Sequence, residues 1–183
     1  MSFNEKTVAN LTQQIDGMKK FFVIAIFSSL VTSAATAQSL AESFRQSTWA
    51  TYVFVSTAMP KNLLMQLAKE ASITKSTLVL RGFDEKTGSL NGAKEFVAEI
   101  NATCCGMNPP SWTIHPKLYE TFGVQFTPAF VLAKGTNFSA SEFVLISGDM
   151  GLPNALKFFA QRAANFEIRA KASEIYTKSF STN

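Results

Sequence analysis

Tyr52-Val53-Phe54-Val55-Ser56, Thr57-Ala58-Met59-Pro60 and Lys61-Asn62-Leu63-Leu64-Met65-Gln66-Leu67-Ala68-Lys69-Glu70-Ala71-Ser72 follow one another without a break. The first segment is nearly all apolar and rich in β-branched and aromatic residues, the composition of a strand buried on both faces. The last segment puts Leu63, Leu64, Leu67, Ala68 and Ala71 on one helical face. Pro60 suits the first turn of that helix, where a missing N–H leaves nothing unpaired. The stretch predicts a central strand, a tight turn and an amphipathic helix. A helix N-terminus stabilises a thiolate, yet no cysteine stands at this junction.

The chain has 183 residues, of which 46% are hydrophobic and 16% charged, enough apolar material for one ordinary domain with a real core. Its 17 phenylalanines read as core residues. The net charge is only +4. The basic residues are scattered, and no Lys/Arg run alternates with aromatics, so nucleic-acid binding has no support.

Met18-Lys19-Lys20 precedes the apolar run 21–31, and Thr32-Ser33-Ala34-Ala35-Thr36-Ala37-Gln38 follows. A basic start, a short apolar run and an Ala-x-Ala site at Ala35 and Ala37 predict a cleavable signal peptide over 18–37. The run is shorter than the roughly 20 residues a membrane span needs; a retained anchor is the other reading. Residues 1–17 are polar, and Met18 reads as the initiator, the alternative being an unusually long n-region. Cleavage after Ala37 would leave a domain in an oxidising, periplasmic compartment, with no stable membrane insertion.

Residues 38–51 form an N-terminal extension with a helix-prone start carrying Leu40, Phe44 and Trp49. After the opening strand and helix, Thr77–Arg81 reads as a second strand stopped by Gly82. Ala93, Phe96, Val97 and Ile100 have helical spacing, so 92–101 reads as a second helix. Residues 103–112 read as irregular. Pro116 opens a short helix that Gly123 closes. Ala129–Leu132 and Glu142–Ser147 are two further strands. Gly148-Asp149-Met150-Gly151 turns into a last helix with Leu152, Ala155, Leu156, Phe159 and Ala163 on one face. Residues 167–183 read as a polar tail that extends this helix or frays.

Parallel β-α-β followed by a hairpin and a closing helix is the order of thioredoxin-like folds. The expected class is α/β, thioredoxin-like, with a central mixed sheet of about four strands flanked by helices over residues 52–166. The Val53–Ser56 strand with Met59-Pro60, then Leu78-Val79-Leu80-Arg81-Gly82, then Ile114-His115-Pro116 through Pro128-Ala129-Phe130-Val131-Leu132, resembles the TrbC family. That resemblance implies a thioredoxin-like scaffold without redox chemistry. It also implies a place in the type IV secretion machinery that builds F-type conjugative pili, beside a TraW-like component. It further implies that Pro128 is the position of the fold's cis-proline.

Met59-Pro60-Lys61-Asn62 falls where a Cys-x-x-Cys would stand, and none of the four can act as a thiolate nucleophile. This is either a binding surface left after the chemistry was lost or a helix start needed only for packing. In the first case Thr57, Met59, Pro60, Phe126, Thr127 and Pro128 line a partner groove, with an exposed Met59. Arg81 is either a solvated strand end or a buried or partner-facing guanidinium. Cys104 and Cys105 are adjacent, and a ring so small fits ordinary disulfide geometry poorly; free thiols or pairing with another chain are the expectation. His115 has no second histidine or acidic cluster beside it in sequence, so it predicts a turn rather than a metal ligand. Asp149 reads as a turn or cap residue. No catalytic set, metal site or cofactor is expected. The reading is a non-catalytic periplasmic assembly protein working by protein contacts. Its rivals are a thiol–disulfide oxidoreductase or isomerase using Cys104 and Cys105, and a pilin-subunit chaperone, which exposed apolar residues around Met59 and Phe126 would favour.

Overall fold

The computed structural model describes residues 49–83, 88–135 and 142–181. The expected signal peptide with Ala35 and Ala37, the preceding residues 1–17 and the extension over 38–48 lie outside them. The described residues belong to one compact unit, Thr48–Asn183.

Among the described residues five strands and five helices follow in the order β1 (Trp49–Val55), α1 (Lys61–Thr74), β2 (Thr77–Leu80), α2 (Leu90–Cys104), β3 (Ser111–Ile114), α3 (Pro116–Thr121), β4 (Ala129–Lys134), β5 (Phe143–Ser147), α4 (Leu152–Arg162) and α5 (Phe166–Phe180). They make one sheet of order β3-β2-β1-β4-β5. β1, β2 and β3 are parallel, with Tyr52 opposite Thr77 and Thr77 opposite Ser111. β4 runs antiparallel to β1, with Val53 opposite Phe130, and β5 antiparallel to β4. This is the thioredoxin-like arrangement expected, with one strand more than foreseen.

The pleat sends alternate residues of β1 to opposite faces. Val53 and Val55 join Leu64 and Leu67 of α1, Ile100 of α2, and Leu156 and Phe159 of α4 in the larger core. Phe54 joins Val79, Val131, Tyr119, Phe122 and Val124 in a second core under α3. Its ring meets the Tyr119 ring edge-on at 4.7 Å between centroids, a favoured aromatic geometry. A strand buried on both faces is thus what the unbroken apolar run required. Gly123 stands just after α3 with φ +66°, where a side chain would be strained.

Three expectations need correction. Trp49–Thr51 belong to β1 rather than to a helix-prone extension; pairing with Lys134, Ala133 and Leu132 of β4 holds them extended. Residues 103–112 are not all irregular: α2 runs on to Cys104, and Ser111 and Trp112 begin the edge strand β3. Four residues after Pro109-Pro110 are too few to show a strand period, and pairing with β2 makes the strand. The stretch from Glu167 is a separate helix, broken from α4 at Ala163 and capped by Asn165, whose side chain accepts from the Glu167 N–H at 2.8 Å. Ile168 and Ala172 bury it. Asp149 lies in the turn before α4, one of the two roles expected of it; the cap comes from Glu70 of α1, whose carboxylate accepts from the Leu152 N–H at 2.8 Å. A negative charge suits a helix N-terminus. A Cβ on Gly151 would stand 2.8 Å from that carboxylate, so the cap requires glycine there.

Candidate docking site at the strand ends

β1 and β2 are parallel and stop side by side at Val55 and Leu80. Ser56 and Thr57 continue from one strand, Arg81, Gly82 and Phe83 from the other. The loop over 125–128 comes alongside, and its Thr127–Pro128 bond is cis. Together they enclose a pocket of about 210 Å³ whose walls include Ser56, Thr57, Arg81, Phe83, Tyr119, Gln125 and Thr127.

The structure brings Thr57, Arg81 and Thr127 together at this pocket, but not all seven residues of the expected partner site. Pro128 is buried, and Pro60 is exposed as the N-cap of α1, which no side chain caps. Phe126 is 72% exposed between two lining residues. Met59 does not stand out into solvent. It packs against the larger core, its N–H donates to the Ser56 carbonyl at 3.1 Å, and its thioether accepts from the Ser56 N–H at 3.3 Å. The turn is closed by the methionine folding back on itself.

Tyr119, to which the sequence reading gave no role, forms the floor. Its hydroxyl lies 2.8 Å from the Val55 carbonyl and 2.9 Å from the Val79 carbonyl. One proton is thus shared between the ends of two neighbouring strands. Burial pushes the phenol up to about 12, against the opposing pull of the Arg81 guanidinium and of the backbone hydrogen bonds. A tyrosine beside Leu118 and Phe122 signalled a buried ring needing a polar partner, but nothing local named the partner. Arg81 lies over the ring, its Cζ 4.7 Å from the centroid, and its Nη2 donates to the Val124 carbonyl at 3.0 Å. It is solvent-exposed just past the end of β2, and these two contacts hold its guanidinium at the pocket wall.

His115 caps α3: its Nδ1 accepts from the Leu118 N–H at 3.2 Å. Among the described residues no group of three His, Cys, Asp or Glu side chains could hold a metal. Cys104 and Cys105 are joined in a vicinal disulfide, which corrects the expectation of free thiols or intermolecular pairing. The ring closes where α2 ends: Cys105 has left helical geometry at φ −132°, and the two Cα atoms are 3.7 Å apart. Both residues pack against the larger core from its rim.

Strand order, helices on both faces and a cis-proline loop set against the strand ends define a thioredoxin-like scaffold, here without a thiol where that fold carries its dithiol. The chain belongs to the TrbC family of type-F conjugative transfer system pilin assembly proteins, whose model matches residues 53–159, more than half of the chain. Among solved structures, a secreted Mycobacterium tuberculosis disulfide oxidoreductase homologous to E. coli DsbE is similar at 11% identity, with a TM-score of 0.38, over 69% of this chain and 81% of that one. No match was found among curated proteins. Family membership ties the chain to assembly of the conjugative pilus. No helix among the described residues is long and apolar enough to cross a membrane.

Proposed function

We propose that this chain is a non-catalytic, periplasmic assembly protein that docks a segment of another pilus assembly protein, a TraW-like component, in the pocket at the strand ends. The observation that carries the reading is the pocket itself. The strand ends and the cis Thr127–Pro128 loop are in place around Thr57 and Arg81, while Met59-Pro60-Lys61-Asn62 offers no nucleophile. The cysteines stand at the opposite kind of helix end: the C-terminus of α2 presents carbonyls and the negative end of the dipole, which do not stabilise a thiolate. That disfavours an oxidoreductase. The signal-like stretch over 18–37 supports export. The exposed Phe126 gives the pilin-chaperone reading some footing, whereas the inward Met59 removes the other residue that would favour it.

Phe126→Asp tests this better than Met59→Asp, because Met59 contacts the core and Phe126 does not support it. We expect Phe126→Asp to weaken binding of the TraW-like component at least about tenfold, a loss of about 1.4 kcal/mol, and to lower mating efficiency with an unchanged melting temperature. Parent-like binding by the variant would place the interface elsewhere. Suppression of pilin aggregation by the parent, without TraW binding, would favour the chaperone.

A further inference from the structure

The docking reading has a consequence for the chemistry of what docks. Arg81 uses one of its five N–H donors on the Val124 carbonyl and lies against the Tyr119 ring. It forms no ion pair among the described residues. Tyr119 and Gln125 border the pocket beside Arg81, and the same three residues border a second hollow of about 370 Å³ that also includes Glu120 and Gly123. Arg81, Tyr119 and Gln125 thus border both hollows. The first is lined also by Ser56, Thr57 and Thr127, and the second by Glu120.

A partner seated in the first hollow takes water away from the Arg81 guanidinium. Burying a charge without a counter-charge is costly, and pairing it with a carboxylate removes most of the penalty. Arginine also matches a carboxylate in two parallel hydrogen bonds. We propose that the first hollow binds a peptide segment bearing an Asp or Glu side chain, whose carboxylate pairs with Arg81 beside Ser56, Thr57 and Thr127. Glu120 disfavours an acid in the second hollow. The proposal rests on the docking function above and names the chemistry of its ligand.

The probe is a phage-displayed library of random heptapeptides whose C-termini are fused to the coat protein, which leaves no free terminal carboxylate. It is panned on the full chain and on Arg81→Gln, Arg81→Glu and Phe126→Asp, each checked for an unchanged melting temperature. The parent should enrich Asp or Glu at one position about fivefold over the library. Arg81→Gln should lose that preference while keeping the flanking apolar preferences, and Arg81→Glu should enrich Lys or Arg instead. A synthetic peptide of the selected sequence should lose about tenfold in affinity when its acid is replaced by the corresponding amide. Selected peptides that lack an acid but are lost with Phe126→Asp would overturn the acidic-ligand inference and leave docking intact. An acid preference that survives Arg81→Gln would likewise overturn it. Failure to enrich any peptide sensitive to either residue would overturn both.

Discussion

Two helix ends of this molecule have exchanged what each would carry in a redox enzyme of the same fold. The N-terminus of α1, where backbone donors and the positive end of the dipole favour a thiolate, carries Met59-Pro60-Lys61-Asn62. The C-terminus of α2, where the field has the opposite sign, carries both cysteines, closed on each other. The first end follows directly from Ser56 and Thr57, which wall the pocket with Arg81 and Thr127; the second is packed at the rim of the core. The difference teaches that a scaffold can keep its strand–turn–helix junction while its sulfur stands at a helix end whose field does not activate it.

The comparison breaks most visibly if a dithiol is restored. The parent should show no insulin-reducing turnover, and the variant with Met59→Cys and Asn62→Cys should reduce insulin. Its new thiol should alkylate at neutral pH at least about tenfold faster than a free cysteine, as a lowered thiol pKa requires. Insulin reduction by the parent, or an inert double variant, would undo the contrast between the two helix ends.

A smaller effect separates how the two ends are held. At the strand ends the tie is the Tyr119 hydroxyl, shared between the Val55 and Val79 carbonyls. Tyr119→Phe should cost about 1–3 kcal/mol in a denaturant titration, since buried carbonyls lose their donor. The pH dependence carries the same signature. The phenol is raised from 10.0 to about 12, so above pH 10 the unfolded chain gives up its proton first. Stability is then fully present below pH 10 and falls by about 2 kcal/mol as pH rises to 12. Tyr52, raised by burial, adds in the same direction. Tyr119→Phe should flatten that alkaline limb, and an unaltered limb would assign it to other groups.

The smallest effect belongs to the disulfide. Replacing Cys104 and Cys105 with Ser removes a ring spanning only two residues, so the unfolded chain gains little freedom, and the loss should be about 1 kcal/mol or less. Pilus assembly should continue. Loss of assembly by a folded variant, judged by circular dichroism, would revive the enzymatic reading.

The sequence by itself determined the central strand and its helix, because an apolar β-branched run and a 3.6-residue period are local signals. It also determined the hairpin, the closing helix and the absence of a thiol at Met59–Asn62. Tertiary structure decided what depends on partners far along the chain. β3 exists because β2 offers it an edge; four residues carry no period of their own. The helix after Asn165 exists because Ile168 and Ala172 find the core; its charged remainder concealed a narrow apolar face. Of the predicted site, Thr57, Arg81 and Thr127 met, while Met59 turned inward to close its own loop. Tyr119 could be recognised as a buried ring but not as the tie between two strand ends, because its acceptors lie 64 and 40 residues away in sequence. Hydrogen bonds of that span are set by how layers pack, and packing is not written in any one stretch of the chain.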